Sequence, residues 1–476
     1  MEDIVIELFP SYIKISNYDR NEKLEKALSV FDKTIFQYVF SAFLIDEDKK
    51  EIIIPGGLDL EYLKNLFNDK EVINRKDQIN KYQNVKLNIK YPPRNAKQEE
   101  AINFLINEKN TQKFLVLPTG EGKTYCAINY VVNSKKLPLV IVDKENISNQ
   151  WKESFLKFTD IKENEIYLIS GKESIDNLMG MGRRELSKYK CFIAIHKTLT
   201  NLINKDMNNF RELITHLRIG SKLYDEAHSD FKNIFLLDSL SECESVYITA
   251  TPSRSNHIEN AVYQRMFKNV SFFIYTTEST SNYHNIVIAK YNTNPTKKEQ
   301  YSIRNRYGFD ANKWSKRLIK DEDVYNQTFE NIKTLIKKLN PDFNKKTVIL
   351  INTMDGVSSL LKDLKEDFPN LSFGRYDSTI KKEDKLEQLN RDIIVTTEKS
   401  LGKAIDVPNL ELCINLIPFG SNVIAEQMLG RLRRIEGKTL VFVDMIDIGF
   451  ESCLQQLKRK KNIYNKKAKN IYELSL

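Results

Sequence analysis

The chain has 476 residues, 41% of them hydrophobic and 29% charged, with a formal net charge of +9. That length exceeds one compact core and predicts about three domains, and no apolar run approaches the roughly 18 residues of a membrane span. Cys126, Cys191, Cys243, Cys413 and Cys453 are scattered and never in C-x-x-C spacing, which argues against a disulfide frame and against a zinc or iron–sulfur site, while the basic balance permits a polyanionic partner. Met1 to Pro10 carries acids and no basic leader, so a cytoplasmic protein is expected.

Residues 1–88 predict a small α+β domain: strand-like Ile4–Leu8, a helix-like run Asn21–Val30, β-like Phe36–Ile45, and Ile52–Gly57 leading into an apolar-periodic helix Leu60–Phe67. The polar stretch Asn68–Asn84 predicts a boundary. From Tyr91 apolar strands alternate with amphipathic helices, the pattern of a parallel α/β sheet, with strands at Phe114–Leu117, Leu139–Val142, Cys191–Ile195, Ser221–Tyr224 and Ser245–Thr249. A second block supplies Thr347–Ile351, Asp392–Thr396, Leu412–Leu416 and Thr439–Val443. Two such blocks predict a cleft between two lobes. Asn294–Lys338 between them is charged and mostly helical, and Leu454–Leu476 reads as a basic helix with Lys458, Lys460 and Lys461 among its cations.

Leu117–Thr124 reads L-P-T-G-E-G-K-T between a strand and a helix, the setting of a phosphate-binding loop. Gly120 and Gly122 let backbone N–H groups face a polyphosphate, Lys123 reaches the β and γ phosphates, and Thr124 can place its hydroxyl on Mg²⁺. Asp225-Glu226-Ala227-His228 follows a strand: one carboxylate can hold the metal and its neighbour can orient and deprotonate water. Standing alone, this tetrapeptide would be read as a solvated acidic turn. Thr249-Ala250-Thr251-Pro252 closes the next strand, and its hydroxyls are candidates, with His228, for linking the nucleotide site to neighbouring loops. On a helix Gln427, Gly430, Arg431 and Arg434 would share a face, from which two guanidinium groups could reach a γ phosphate; three arginines in four residues are also the mark of a solvated or nucleic-acid-facing surface.

In this order, P-T-G-E-G-K-T, D-E-A-H, T-A-T-P and Q-x-x-G-R-x-x-R resemble the superfamily two helicases, in which two RecA-like lobes clamp ATP; the resemblance covers about 91–450. It implies an α/β fold of two RecA-like parallel-sheet lobes in tandem, 89–280 and 281–450, with a small α+β domain at 1–88, a charged insertion at about 294–338 and a basic C-terminal helix at 451–476. It implies that Lys123, Glu226, Gln427, Arg431 and Arg434 are catalytic, the two arginines as fingers. Arg94, Gln98, Pro118, Thr119, Gly120, Glu121, Gly122, Thr124, Asp225 and Asp406 would bind ATP, with Mg²⁺ on Thr124 and Asp225.

Gln150-Trp151 is similar to motif Ia and His196-Lys197-Thr198 to motif Ib, which with Thr396 implies nucleic-acid contacts; His228, Thr249 and Thr251 would couple the sites. Ala404 stands where the family usually has glycine in motif V, and Asp143 where motif Ia usually has proline. Within the superfamily the chain looks most like phage and viral recombination helicases of the UvsW type. The expected activity is an ATP-dependent DNA helicase or branch-migrating translocase on forked or branched DNA, in replication, recombination or repair. DNA is favoured over RNA, and recombination or replication proteins are expected partners. RNA unwinding, duplex translocation in transcription or restriction, and a non-catalytic ATP-gated clamp are the alternatives.

Overall fold

The computed structural model describes residues 3–32, 36–68, 70–77, 81–118, 120–228, 230–250, 257–275, 284–305, 308–381, 383–401, 407–433, 435 and 437–476. Contacts divide the chain into two units, Met1–Thr276 and Thr277–Leu476.

The first unit holds a seven-stranded, all-parallel sheet. Its strands, in spatial order, are Ile166–Ile169, Cys191–Ile195, Pro138–Val142, Ser221–Asp225, Glu244–Thr249, Gln112–Val116 and Ser271–Ile274. Interior strand Pro138–Val142 is an unbroken apolar run, buried at every position, because helices cover both faces of the sheet. All five expected strands are present within a residue or two. The two edge strands lie outside that expectation, because four-residue strands that are only partly buried carry too short an apolar run to stand out.

Residues preceding this sheet build a second, five-stranded one in the order Leu44–Asp46, Glu51–Pro55, Tyr12–Ser16, Val5–Leu8, Val72–Asn74, mixed in direction. Its Pro10–Ser11 turn is built into the larger sheet's support. Pro10 O accepts from Thr111 Oγ1 at 2.6 Å, and Ser11 Oγ bonds to the carbonyls of Asp238 and Ser241 at 2.9 and 2.8 Å. Beneath that turn the buried Lys222 ammonium lies 2.7 Å from Asp238 Oδ1, and Tyr224, Ser245 and Tyr247 also donate to the same carboxylate. A buried charge pair is tolerated when its remaining lone pairs are filled in this way.

The second unit is another seven-stranded parallel sheet: Phe373–Tyr376, Ile393–Thr396, Lys346–Leu350, Leu410–Asn415, Leu440–Asp447, His284–Tyr291 and Ala468–Ser475. The C-terminal segment departs from expectation. It is helical only over Glu451–Lys467, after which Ala468–Ser475 pairs in parallel with His284–Tyr291 as an edge strand. Neither face of that strand is buried, so no apolar alternation announces it. Lys460, one of the cations of the expected basic helix, is 1% exposed: its ammonium sits 2.6 Å from Asp444 Oδ2 and 4.0 Å from the Phe419 ring centre. Lys458 and Lys461 remain exposed.

Candidate active site

Strand Gln112–Val116 runs into Leu117-Pro118, and the loop that follows turns into helix Lys123–Ser134. Gly120 and Gly122 take φ of +87° and +84°, a region that L side chains rarely adopt. Gly122 is required twice over, since a Cβ there would lie 2.2 Å from Gln98 Nε2. Gln98, almost fully buried on helix Ala96–Asn107, accepts from Arg94 N at 2.8 Å and donates to Glu121 O at 3.0 Å. Arg94 reaches Gly120 O at 3.0 Å. Arg94 and Gln98 therefore hold the loop from below, and Lys123 Nζ rests 3.3 Å from Leu117 O across it. Thr119 lies outside the described residues.

Asp225 ends strand Ser221–Asp225, and Glu226 follows with φ of +49°, a costly conformation for a non-glycine residue and typical of functional turns. Asp225 Oδ2 accepts from Trp151 Nε1 at 2.9 Å and Oδ1 from Glu226 N at 3.0 Å. Burial, then the neighbouring Glu226 carboxylate, push the Asp225 carboxyl up to about 6, against the Trp151 hydrogen bond and the Lys123 charge. His228 Nδ1 lies 2.7 Å from Thr249 Oγ1 and 3.3 Å from Glu226 Oε2, so one imidazole joins the ends of two adjacent strands. Thr251 falls outside the described residues.

Of the residues expected against nucleic acid, three point inward. Trp151 is 2% exposed and His196 3%, the latter with Nδ1 3.4 Å from Asp230 Oδ2. Thr396 is fully buried, its hydroxyl donating to Tyr376 O. A side chain without free surface cannot lie along a phosphate backbone, and the expectation is corrected for these three: Trp151 braces Asp225 instead. Lys197 is exposed, and Gln150 and Thr198 are half-buried.

Beside Thr198 the structure adds a feature that sequence reasoning missed: a cavity of about 480 Å³ lined in part by Gly171, Lys172, Asn201, Lys205 and Asn209. Gly171, at φ +78°, opens helix Gly171–Gly180 and donates its N–H to Thr198 Oγ1 at 3.0 Å. Recognising the short strand Ile166–Ile169 before it would have marked Ser170-Gly171 as a strand-to-helix turn.

In the second unit Gln427, Gly430 and Arg431 do not all lie within one helix. The helix spans Asn422–Leu429 and Gly430 caps it, so Gln427 is helical and Arg431 lies in the turn beyond. Burial of Leu432, whose carbonyl lies 2.9 Å from His284 Nε2, bends the chain inward there. Arg434 and Asp406 lie outside the described residues.

A protein-family model, "Type III restriction enzyme, res subunit", matches residues 74–254, the span that carries both the phosphate-loop and the D-E-A-H strands. That match supports a superfamily two helicase. The helicase is a nucleic-acid-dependent ATPase. It is 22% identical over 434 residues to transcript termination protein A18 of Yaba monkey tumor virus, covering 83% of this chain and 82% of that protein. Its fold is similar to that of S. cerevisiae Dbp5 bound to RNA and ADP BeF3 (TM-score 0.53, 12% identity, 80% of this chain and 89% of that one). The DEAD-box helicase Mss116 bound to ssRNA and UDP-BeF is equally similar (TM-score 0.54, 15% identity, 81% and 76%). T4 UvsW aligns over 100% of this chain and 99% of its own at 15% identity, but with a TM-score of 0.38, too loose a superposition to carry an argument.

Proposed function

We propose that this helicase couples ATP hydrolysis to the remodelling of forked or branched DNA. The observation that carries the reading is the convergence, at one end of one parallel sheet, of the glycine loop with Lys123, the Asp225–Glu226 pair, and the His228–Thr249 contact that ties this pair to the next strand. In this reading the loop N–H groups and Lys123 bind the β and γ phosphates, and Glu226 takes a proton from the attacking water. In the same reading Arg431 and Arg434 neutralise charge on the transferring phosphoryl group, and the neutral amide of Gln427 serves as a hydrogen-bond partner.

The residues present fit a divalent cation. Asp225 and Glu226 are adjacent carboxylates whose repulsion helps to raise the Asp225 carboxyl, and a cation would relieve it. Thr124 and Asp225 would hold Mg²⁺, which when bound draws negative charge from the phosphate oxygens.

DNA as substrate is supported by the match to a restriction-enzyme subunit. A second reading, duplex translocation during transcription, is favoured by the viral relative named for transcript termination, which also supports action in a cytoplasmic viral factory. Steady-state ATPase with no polymer, single-stranded DNA, duplex DNA, forks and RNA separates these. Strongest stimulation by forks is expected; strongest stimulation by RNA, or by plain duplex, overturns the fork reading.

A further inference from the structure

The geometry points to a second nucleic-acid-binding surface in the second unit: an insertion at 296–320 whose exposed lysines grip the phosphate backbone, independent of base sequence. Residues 294–320 contain eight Lys or Arg and two acids, in a chain whose whole net charge is +9. Both acids are engaged within the insertion. Glu299 closes a capping box with Thr296 and pairs with Arg317 at 2.9 Å; Asp310 caps helix Ala311–Lys320 and accepts from Asn305. The acids that follow, Asp321, Glu322 and Asp323, cap or open the next helix, where the positive end of its dipole favours them.

Among the described residues, the cations of the insertion other than Arg317 are exposed. Lys313, Lys316 and Lys320 are exposed and fall at i, i+3 and i+7, one stripe of helix Ala311–Lys320, while Trp314, Ser315 and Leu318 bury the opposite face. Lys297, Lys298 and Arg304 are exposed beside them, and Arg304 lies 5.7 Å from the ring centre of Tyr301, itself 72% exposed. A cation over an exposed ring offers a base both a stacking face and a charge.

The insertion is held over one edge of the sheet. Arg317 donates to Thr293 Oγ1 at 3.0 Å, just past strand His284–Tyr291; Gln300 donates to Gly449 O at 3.3 Å, just past Leu440–Asp447; Asn352, just past Lys346–Leu350, donates to Asn312 at 2.8 Å. All three anchors lie at carboxyl ends of parallel strands, where open α/β sheets bind their ligands. Thr397 follows the carboxyl end of the adjoining strand Ile393–Thr396 on that same edge. The lysine stripe is thus presented on a fixed frame rather than on a free loop.

This inference rests on the nucleic-acid reading above. The test is the salt dependence of binding to fluorescein-labelled single strand, duplex, fork and RNA oligomers, without nucleotide, for the full chain and for Lys313→Gln/Lys316→Gln/Lys320→Gln. Three lost phosphate contacts should flatten the plot of log affinity against log salt by about two to three units on every polymer. Polymer-free ATPase should stay unchanged. Replacing the same three lysines with arginine should retain the wild-type slope. A wild-type slope in the glutamine variant, or equal losses in the arginine and glutamine variants, overturns the surface alone. Failure of the wild-type chain to bind any of the four polymers overturns the nucleic-acid reading with it.

Discussion

Lys460 on the C-terminal helix and Asp444 on strand Leu440–Asp447 form a buried ion pair at 2.6 Å, and the same carboxylate accepts from Tyr464 OH at 2.8 Å and Asn415 Nδ2 at 3.0 Å. Removing one partner of such a pair strands the other charge, typically costing about 3–5 kcal/mol. Lys460→Met should therefore lower the unfolding free energy by several kcal/mol in urea titrations. Adding Asp444→Asn should recover part of the loss. A single variant within about 0.5 kcal/mol of wild type would show that the charge pair does not matter to the fold.

Lys123→Ala should abolish hydrolysis and weaken ATP binding, whereas Glu226→Gln should bind ATP nearly as wild type while losing turnover, because anchoring phosphate and activating water are separate tasks. Equilibrium titration with a fluorescent ATP analogue beside steady-state ATPase checks this. Equal losses of affinity in both variants would merge the two roles.

Trp151 supplies a variant with opposite expectations under the two roles assigned to it. If its indole braces Asp225, Trp151→Phe loses one hydrogen bond to a charged group, about 1.5–3 kcal/mol, and turnover should fall roughly 10- to 100-fold. Nucleic-acid affinity, measured without nucleotide, should not change. Loss of affinity with normal polymer-independent ATPase would return Trp151 to the nucleic-acid surface.

Arg434→Ala and Arg431→Ala should each lower kcat by orders of magnitude with little change in ATP affinity, since arginine fingers contribute about 10³–10⁵ in rate. Single-turnover hydrolysis measures it. A decrease below about threefold in both removes them from catalysis.

The insertion carries a pH signature. Bonds from the Thr296 hydroxyl and N–H, then Arg317, hold the Glu299 carboxyl down from 4.5 to about 2. A folded value below the ordinary one means that the charged form stabilises the fold: the contribution is full above about 4.5 and is lost as pH falls towards 2. Wild type should melt above Glu299→Gln at pH 7, with the gap closing between pH 4.5 and 2. A gap of constant size across that range would assign the effect to packing.

The interior strands and the nucleotide loop were legible in the sequence because each writes its physics locally. Val140, Ile141 and their neighbours form an apolar run, and Gly120 and Gly122 mark backbone that only glycine accepts. What escaped depends on partners far along the chain. Ala468–Ser475 is a strand only because His284–Tyr291 offers it an edge, Lys460 is buried only because Asp444 is waiting, and Trp151 turns inward because Asp225 needs a donor. Motif spacing does not say which way a side chain faces, and Trp151, His196 and Thr396 are buried rather than presented to a polymer.

The turn at Ser11 has a consequence for how the polypeptide is made. Its hydroxyl bonds to the carbonyl of Asp238, 227 positions later in the chain. A ribosome working at about 5–20 residues per second needs roughly 10–45 s to cover that distance. Throughout that interval the opening strands can pair among themselves, as far as Val72–Asn74, while the Ser11 hydroxyl lacks its carbonyl partners. The earliest segment to emerge therefore makes its last contacts late, after the D-E-A-H region has been synthesised.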